Sequence, residues 1–247
     1  RLHALAPPAA GAGVLLAAAG LALHIWVLCP LGLALIALGG IVRPALWLSA
    51  LLFGLPFAYG LKLPVLPARS LDLIDIGVWG GLAVVIGHVL LRTTLHGAIA
   101  VLHVPSGVAR TPRAGTGHAH VPVFLAFAAV TSWALVAAVD AYYPDLALRE
   151  WRVVFLNGLV FAGVLMFTLA VSSAPAADRW LLVAAWLCGA ALVALFGLWG
   201  YAAGNEWVSQ AEGVRRVQAF YDSANNLALY LDRTLAVSLA LVLFVRG

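Results

Sequence analysis

The sequence predicts an all-α fold: a polytopic helical membrane protein with about eight transmembrane helices. Three observations predict it. Of 247 residues, 64% are hydrophobic and only 10% charged, against about 25% charged in an ordinary soluble domain. The apolar runs repeatedly reach the ~20 residues a helix needs to cross a bilayer. Runs such as LLVAAWLCGAALVALFGLWG (residues 181–200) lack the apolar–polar alternation of a membrane barrel. A helix also satisfies its own backbone donors and acceptors inside lipid.

The elements follow in order. Residues 9–42 are too long for one span and short for two, so a tight hairpin near His24 or Pro30 divides them into spans at 8–24 and 25–42. The next spans are 44–61 and 72–92, with Asp72 and Asp75 in the first turn of the latter, where acids favour the helix dipole. Residues 93–120, rich in Gly, Pro, Thr and His, read as a solvated loop. Its four histidines lack an accompanying cysteine or carboxylate and do not have zinc-module spacing, so no metal or cofactor is expected. A span at 121–139 leads to AYYPDLALREW (141–151), an amphipathic stretch whose aromatics suit a membrane interface. Spans at 153–171, 180–203 and 225–245 complete a single transmembrane domain over 1–247. Cys29 and Cys188 both lie in apolar surroundings and read as unpaired thiols.

Charge gives an orientation. With alternating spans, seven basic residues and one acid (Arg1, Arg43, Arg92, Arg110, Arg113, Arg179, Arg246; Asp178) fall on one side. Seven basic and nine acidic residues fall on the other, and the totals of +6 and −2 recover the chain's +4. The positive-inside rule makes the first side cytoplasmic. The chain is expected in a membrane, in contact with its lipids and with no nucleic-acid partner.

The concentration of polarity at Glu212–Arg233 (EGVRRVQAFYDSANNLALYLDR) then faces outward, to the periplasm or exterior. It holds three arginines, three acids, two asparagines and two tyrosines, and polar groups near a bilayer are costly unless they face a cavity. Asp222, Ser223 and Asn225 are capping types, so the last span starts there. Asp222, Asn226, Tyr230 and Arg233 recur at four, four and three residues, which places them on one helical face. Arg215 and Arg216 stand upstream, in the segment leading into that helix. Arginine forks match phosphate oxygens in pairs, and a helix N-terminus favours anions. The cluster therefore reads either as a site for a phosphorylated group or as arginines paired with Glu206, Glu212 or Asp222.

The order Arg216–Val217, Tyr221, Asn225, Leu227–Ala228 resembles the motif of the O-antigen ligase and polymerase family, Arg-Val-x-Gly-x-Phe, two residues, then Pro-Asn-x-Leu-Ala. Residues 43–65 and 147–161 also resemble family spans. Where the family has Gly, this chain has Ala219 and Asp222, and where it has Pro, Ala224. The resemblance implies a metal-independent membrane glycosyltransferase of cell-envelope polysaccharide and lipopolysaccharide biosynthesis. Its donor is a glycan linked to undecaprenyl diphosphate, its acceptor a glycan or lipid. It implies that Arg216 holds the diphosphate, with Arg215, Tyr221, Asn225, Asn226 and Arg233 as further substrate-binding candidates. It also implies a catalytic histidine in an outside loop beyond Gly247, which makes this sequence the N-terminal part of a longer, active protein.

Two other classes remain open on the residues. A transporter or flippase for a lipid-linked or anionic solute binds near the midplane and shows internal repeats. Neither a repeat nor a mid-span cluster is evident. A structural membrane subunit would use the same arginines only for ion pairs.

Overall fold

The computed structural model describes residues 7–16, 28–58, 62–66, 69–102, 121–204, 208–211, 214–221 and 223–244. Short apolar helices come first: α1 (Pro7–Leu16), α2 (Leu28–Val42) and α3 (Pro44–Ala58). Pro44 opens α3, the helix position where its missing N–H costs nothing. The hairpin of β1 (Lys62–Leu66) and β2 (Arg69–Asp72) leads into α4 (Leu73–Leu102). Then follow α5 (Val121–Val139), the amphipathic α6 (Pro144–Trp151), a π-helical turn (Arg152–Leu156) and α7 (Asn157–Val171). Last come α8 (Pro175–Ala203), the hairpin of β3 (Val208–Ala211) and β4 (Val214–Val217), and α9 (Ala224–Phe244).

Among the described residues, five helical segments are long and apolar enough to cross a bilayer: Leu73–Thr94, Pro122–Val139, Pro144–Val171, Pro175–Ala203 and Ala224–Phe244. With the three shorter apolar helices, this is the architecture of a multi-pass membrane protein. The expected hairpin near His24 lies outside the described residues, as do residues 103–120.

Three sequence expectations change. Helix α4 does not stop at Arg92 but runs to Leu102. LRTTLHGAIAVL contains no proline to break it, and Thr93 and Thr94 satisfy their hydroxyls on the Leu90 and Leu91 carbonyls. Helix α8 begins at Pro175, five residues before the expected span, because Pro175 is preorganised for a first helical turn. Among the described residues, two small β-hairpins interrupt the helices. The amphipathic 144–151 stretch is a helix with no buried residue, joined to α7 through the π-turn.

The described residues form two compact units: Arg1–Leu48 with Val78–Pro175, and Ser49–Gly77 with Ala176–Gly247. In the first, the Trp47 ring fits a recess beside Gly40, Gly80 and Gly81. Gly81 of α4 lies next to Val164 of α7, and the Trp151 indole N–H donates to the Thr131 carbonyl at 2.8 Å, tying α6 to α5. In the second, α8 passes so close to α3 that a Cβ on Gly189 would stand 2.5 Å from the Phe53 carbonyl oxygen.

Candidate functional site

The polar segment ending at Arg233 forms a hairpin, a tight turn and a helix start, all within the second unit. Strands β3 and β4 pair antiparallel, with Gln210 opposite Arg215 and Ser209 opposite Arg216. Successive residues of a strand point to opposite faces, so the two arginines separate. This differs from the expected loop, in which they would have acted as neighbours.

Arg215 is committed locally. Helix α8 ends at Ala203, and Gly204 takes the left-handed conformation (φ +68°) that commonly closes a helix. The guanidinium of Arg215 donates to the Tyr201 carbonyl at 2.8 Å and lies 4.6 Å from the centre of the Tyr201 ring. A cation on the last carbonyls of a helix also meets the negative end of its dipole. Arg215 therefore caps α8. Arg216, on the other face of β4, is half-buried.

Past β4 the chain reverses through Gln218–Tyr221, closed by the Tyr221 N–H on the Gln218 carbonyl at 2.9 Å. Ala219, the second residue of this turn, has φ +48°. An L-residue there carries strain of about 1–2 kcal/mol, which glycine avoids. The turn is held by packing. Ala219 and Tyr221 are buried with Val193 and Leu227, and Phe57, Val217, Phe220, Tyr230 and Leu231 close around them. Phe220 meets Phe57 edge-on at 5.4 Å and Phe196 at 5.9 Å. Gly197 of α8 makes room, since a Cβ there would be 2.7 Å from Val217 Cγ1.

Helix α9 starts at Ala224 with Ser223 as its cap: the Asn226 N–H donates to Ser223 Oγ at 3.2 Å. Asn225 is thus inside the first turn and exposed, while Asn226 is half-buried. Tyr230 follows one turn later, its ring 5.9 Å from that of Tyr221. Its hydroxyl is buried near Trp186 and Thr234 without a well-aligned hydrogen bond to either. Arg233 is at the exposed edge of this face. Asp222 lies outside the described residues.

The candidates therefore sort by position. Tyr221 is a core residue, 7% exposed, and holds the turn. Arg215 is a helix cap. Arg216 is on β4, Asn225 and Asn226 are in the first turn of α9, and Arg233 is a further two turns along. Between α8 and α9 a groove of about 1130 Å³ is lined by Leu187, Ala190 and Ala194 on one side and by Asn225, Ala228 and Asp232 on the other.

Sequence reasoning missed several polar residues. His88 reads in the sequence as a polar residue at a helix end, yet it sits within α4, 3% exposed. Its Nδ1–H donates to the Ile41 carbonyl at 2.7 Å, in the last turn of α2, where backbone acceptors lack helical partners. This fixes the tautomer and leaves Nε2 buried without a hydrogen-bond partner. Asp75 and Asp178 occupy first turns of α4 and α8, as helix dipoles favour, but both are buried. Their burial could be anticipated from depth in an apolar segment, since polar groups there face protein rather than lipid; for Asp75 the first-turn position was read from the sequence and its burial was not. Among the described residues, no cluster of three or more His, Cys, Asp or Glu is placed to hold a metal. His96 belongs to α4, while His3, His24, His103, His118 and His120 lie outside the described residues.

Comparison of the chain with models of known protein families, with curated proteins and with solved structures found no match.

Proposed function

We propose that this protein is a multi-pass glycosyltransferase of the bacterial cytoplasmic membrane. In this reading it binds an undecaprenyl-diphosphate-linked glycan at the outer face, in the manner of the O-antigen ligase and polymerase family. The observation that supports the reading is where the two kinds of departure from the family motif fall. The motif glycine coincides with Ala219, whose φ is +48°, the conformation for which glycine is the natural residue. The motif proline coincides with Ala224, the first residue of α9, where proline is favoured. At Ala219 and Ala224 the local backbone is of the kind that the motif's glycine and proline would adopt, which supports the reading.

Arg216 is the diphosphate ligand in this proposal. Arg215 is bonded to the Tyr201 carbonyl, and Arg216 lies on the opposite face of the strand that precedes α9. An acceptor hydroxyl attacks the anomeric carbon and gives its proton to a base, while the bond from that carbon to the diphosphate oxygen breaks and the lipid diphosphate leaves. Charge grows on the leaving diphosphate, and a preorganised guanidinium stabilises it more in the transition state than in the ground state.

The test is glycan transfer from a polyprenyl-diphosphate donor by the full-length protein. Arg216→Ala is expected to lower turnover about 100-fold or more, and Arg216→Lys to recover only part of it, because lysine lacks the paired fork. Equal turnover in wild type and both variants would remove Arg216 from the reaction.

A further inference from the structure

Helix α9 carries two charges that no neighbour among the described residues neutralises. Asp232 and Arg233 are both exposed and lie about 12 Å along the helix from Ala224, at 1.5 Å per residue. With α9 as a membrane span, that depth is within the ~30 Å hydrocarbon layer. Adjacent residues on a helix do not face one another. One turn away from Asp232 stand Ala228, Leu229, Leu235 and Ala236, and from Arg233 stand Leu229, Tyr230, Ala236 and Val237. None of these carries charge. The α8 side of the groove beside Asp232 supplies only leucine and alanine.

The exposed strip between the two charges has a further property. Asn225, Leu229, Ala236 and Ala240 run along it, all exposed. The pair Ala236 and Ala240, four residues apart, allows close approach of a second helix. Charge sets the identity of that helix. In a two-fold dimer whose axis runs along the membrane normal, α9 meets a parallel copy of itself at the same depth. The residue left of the contact line on one copy then opposes the residue right of the line on the other. Asp232 lies to one side of the line and Arg233 to the other, with a rise of only about 1.5 Å between them. Each Asp232 therefore opposes the Arg233 of the other copy, twice, by symmetry.

We infer that the Asp232/Arg233 face of α9 is a self-complementary interface through which two copies of this protein associate in the membrane. The two intermolecular ion pairs neutralise charges that lipid would disfavour. This inference rests on charge and exposure alone and is independent of the glycan reading.

The experiment uses the full-length protein in native membranes with Cys29 and Cys188 replaced by serine. Ala236→Cys and Leu229→Cys are expected to form intermolecular disulfides on mild oxidation. Thr234→Cys, buried on the other side of α9, is not. Asp232→Arg alone and Arg233→Asp alone place like charges opposite each other and should weaken association about tenfold or more by subunit counting in bilayers. Asp232→Arg combined with Arg233→Asp restores the pairing with its signs exchanged and should recover the dimer. Three results would overturn the inference. Cross-linking at Ala236→Cys could be no greater than at Thr234→Cys. The disulfides could join α9 to another span of the same polypeptide. The exchanged double variant could remain monomeric when both single variants are.

Discussion

Gly189 lets α8 lie against the end of α3, and replacing it measures how tightly the second unit is packed. A Cβ built there stands 2.5 Å from Phe53 O and 3.2 Å from both Phe53 C and Cα. These are backbone atoms inside a helix, so no rotamer change relieves the contact, and one helix must shift. Forcing one methyl into a close-packed contact of this kind costs about 1–3 kcal/mol. Ala also gains about 1 kcal/mol over Gly in a helix interior, which partly offsets the clash. Gly54 of α3 supplies the reference, since a Cβ there meets nothing within 4 Å. Gly54→Ala should therefore stabilise by up to about 1 kcal/mol. Subtracting one variant from the other removes the propensity term and leaves about 1–3 kcal/mol of clash. Thermal unfolding in mixed micelles reads it, at roughly 2–4 °C per kcal/mol for a chain of this size. If Gly189→Ala melts at the same temperature as Gly54→Ala, or above it, the close helix contact is wrong.

Ala219→Val places a β-branched residue at φ +48° and should destabilise by about 2–3 kcal/mol, whereas Ala219→Gly exchanges strain for a lost buried methyl and should stay within about 1 kcal/mol of wild type. The same melting assay separates the two, and equal stabilities would contradict the strained turn. Arg215→Met removes the donor to the Tyr201 carbonyl and should loosen the hairpin by about 1 kcal/mol. Faster amide exchange in β4 and at the end of α8 is the readout, and unchanged exchange would refute the capping role. His88→Phe leaves the half-buried Ile41 carbonyl without its partner and should cost about 1–3 kcal/mol. A melting temperature equal to that of wild type would show that this bond contributes nothing to stability.

Several features of the fold were legible in the sequence because lipid imposes a simple rule on it. A segment that must satisfy its own backbone in hydrocarbon becomes a helix of the required length. Composition alone therefore placed α5, α7 and α9 to within a few residues, and Ser223 announced the start of α9 as a capping type. Helix α4 was cut short because polarity at Arg92, Thr93 and Thr94 resembles a membrane exit. Threonine, however, can return its hydroxyl to the preceding turn and continue the helix, as Thr94 does on Leu90. The β3–β4 hairpin gave no sequence warning, since its four-residue strands are too short for periodicity to register.

By itself the sequence determined that this chain is helical and apolar enough for repeated membrane crossings, and that its polarity is concentrated between Glu212 and Arg233. Tertiary structure decided where the described members of that cluster sit. Strand alternation sent Arg215 to the end of α8 and Arg216 to the other face. Burial placed Tyr221 in the core beside Val193 and Leu227. Exposure left Asp232 and Arg233 without a neighbour of opposite sign on the surrounding turns of α9. Spacing along one chain constrains which residues share a face of one element. The group that faces them across space comes from residues far away in sequence, and only the packed chain brings it there.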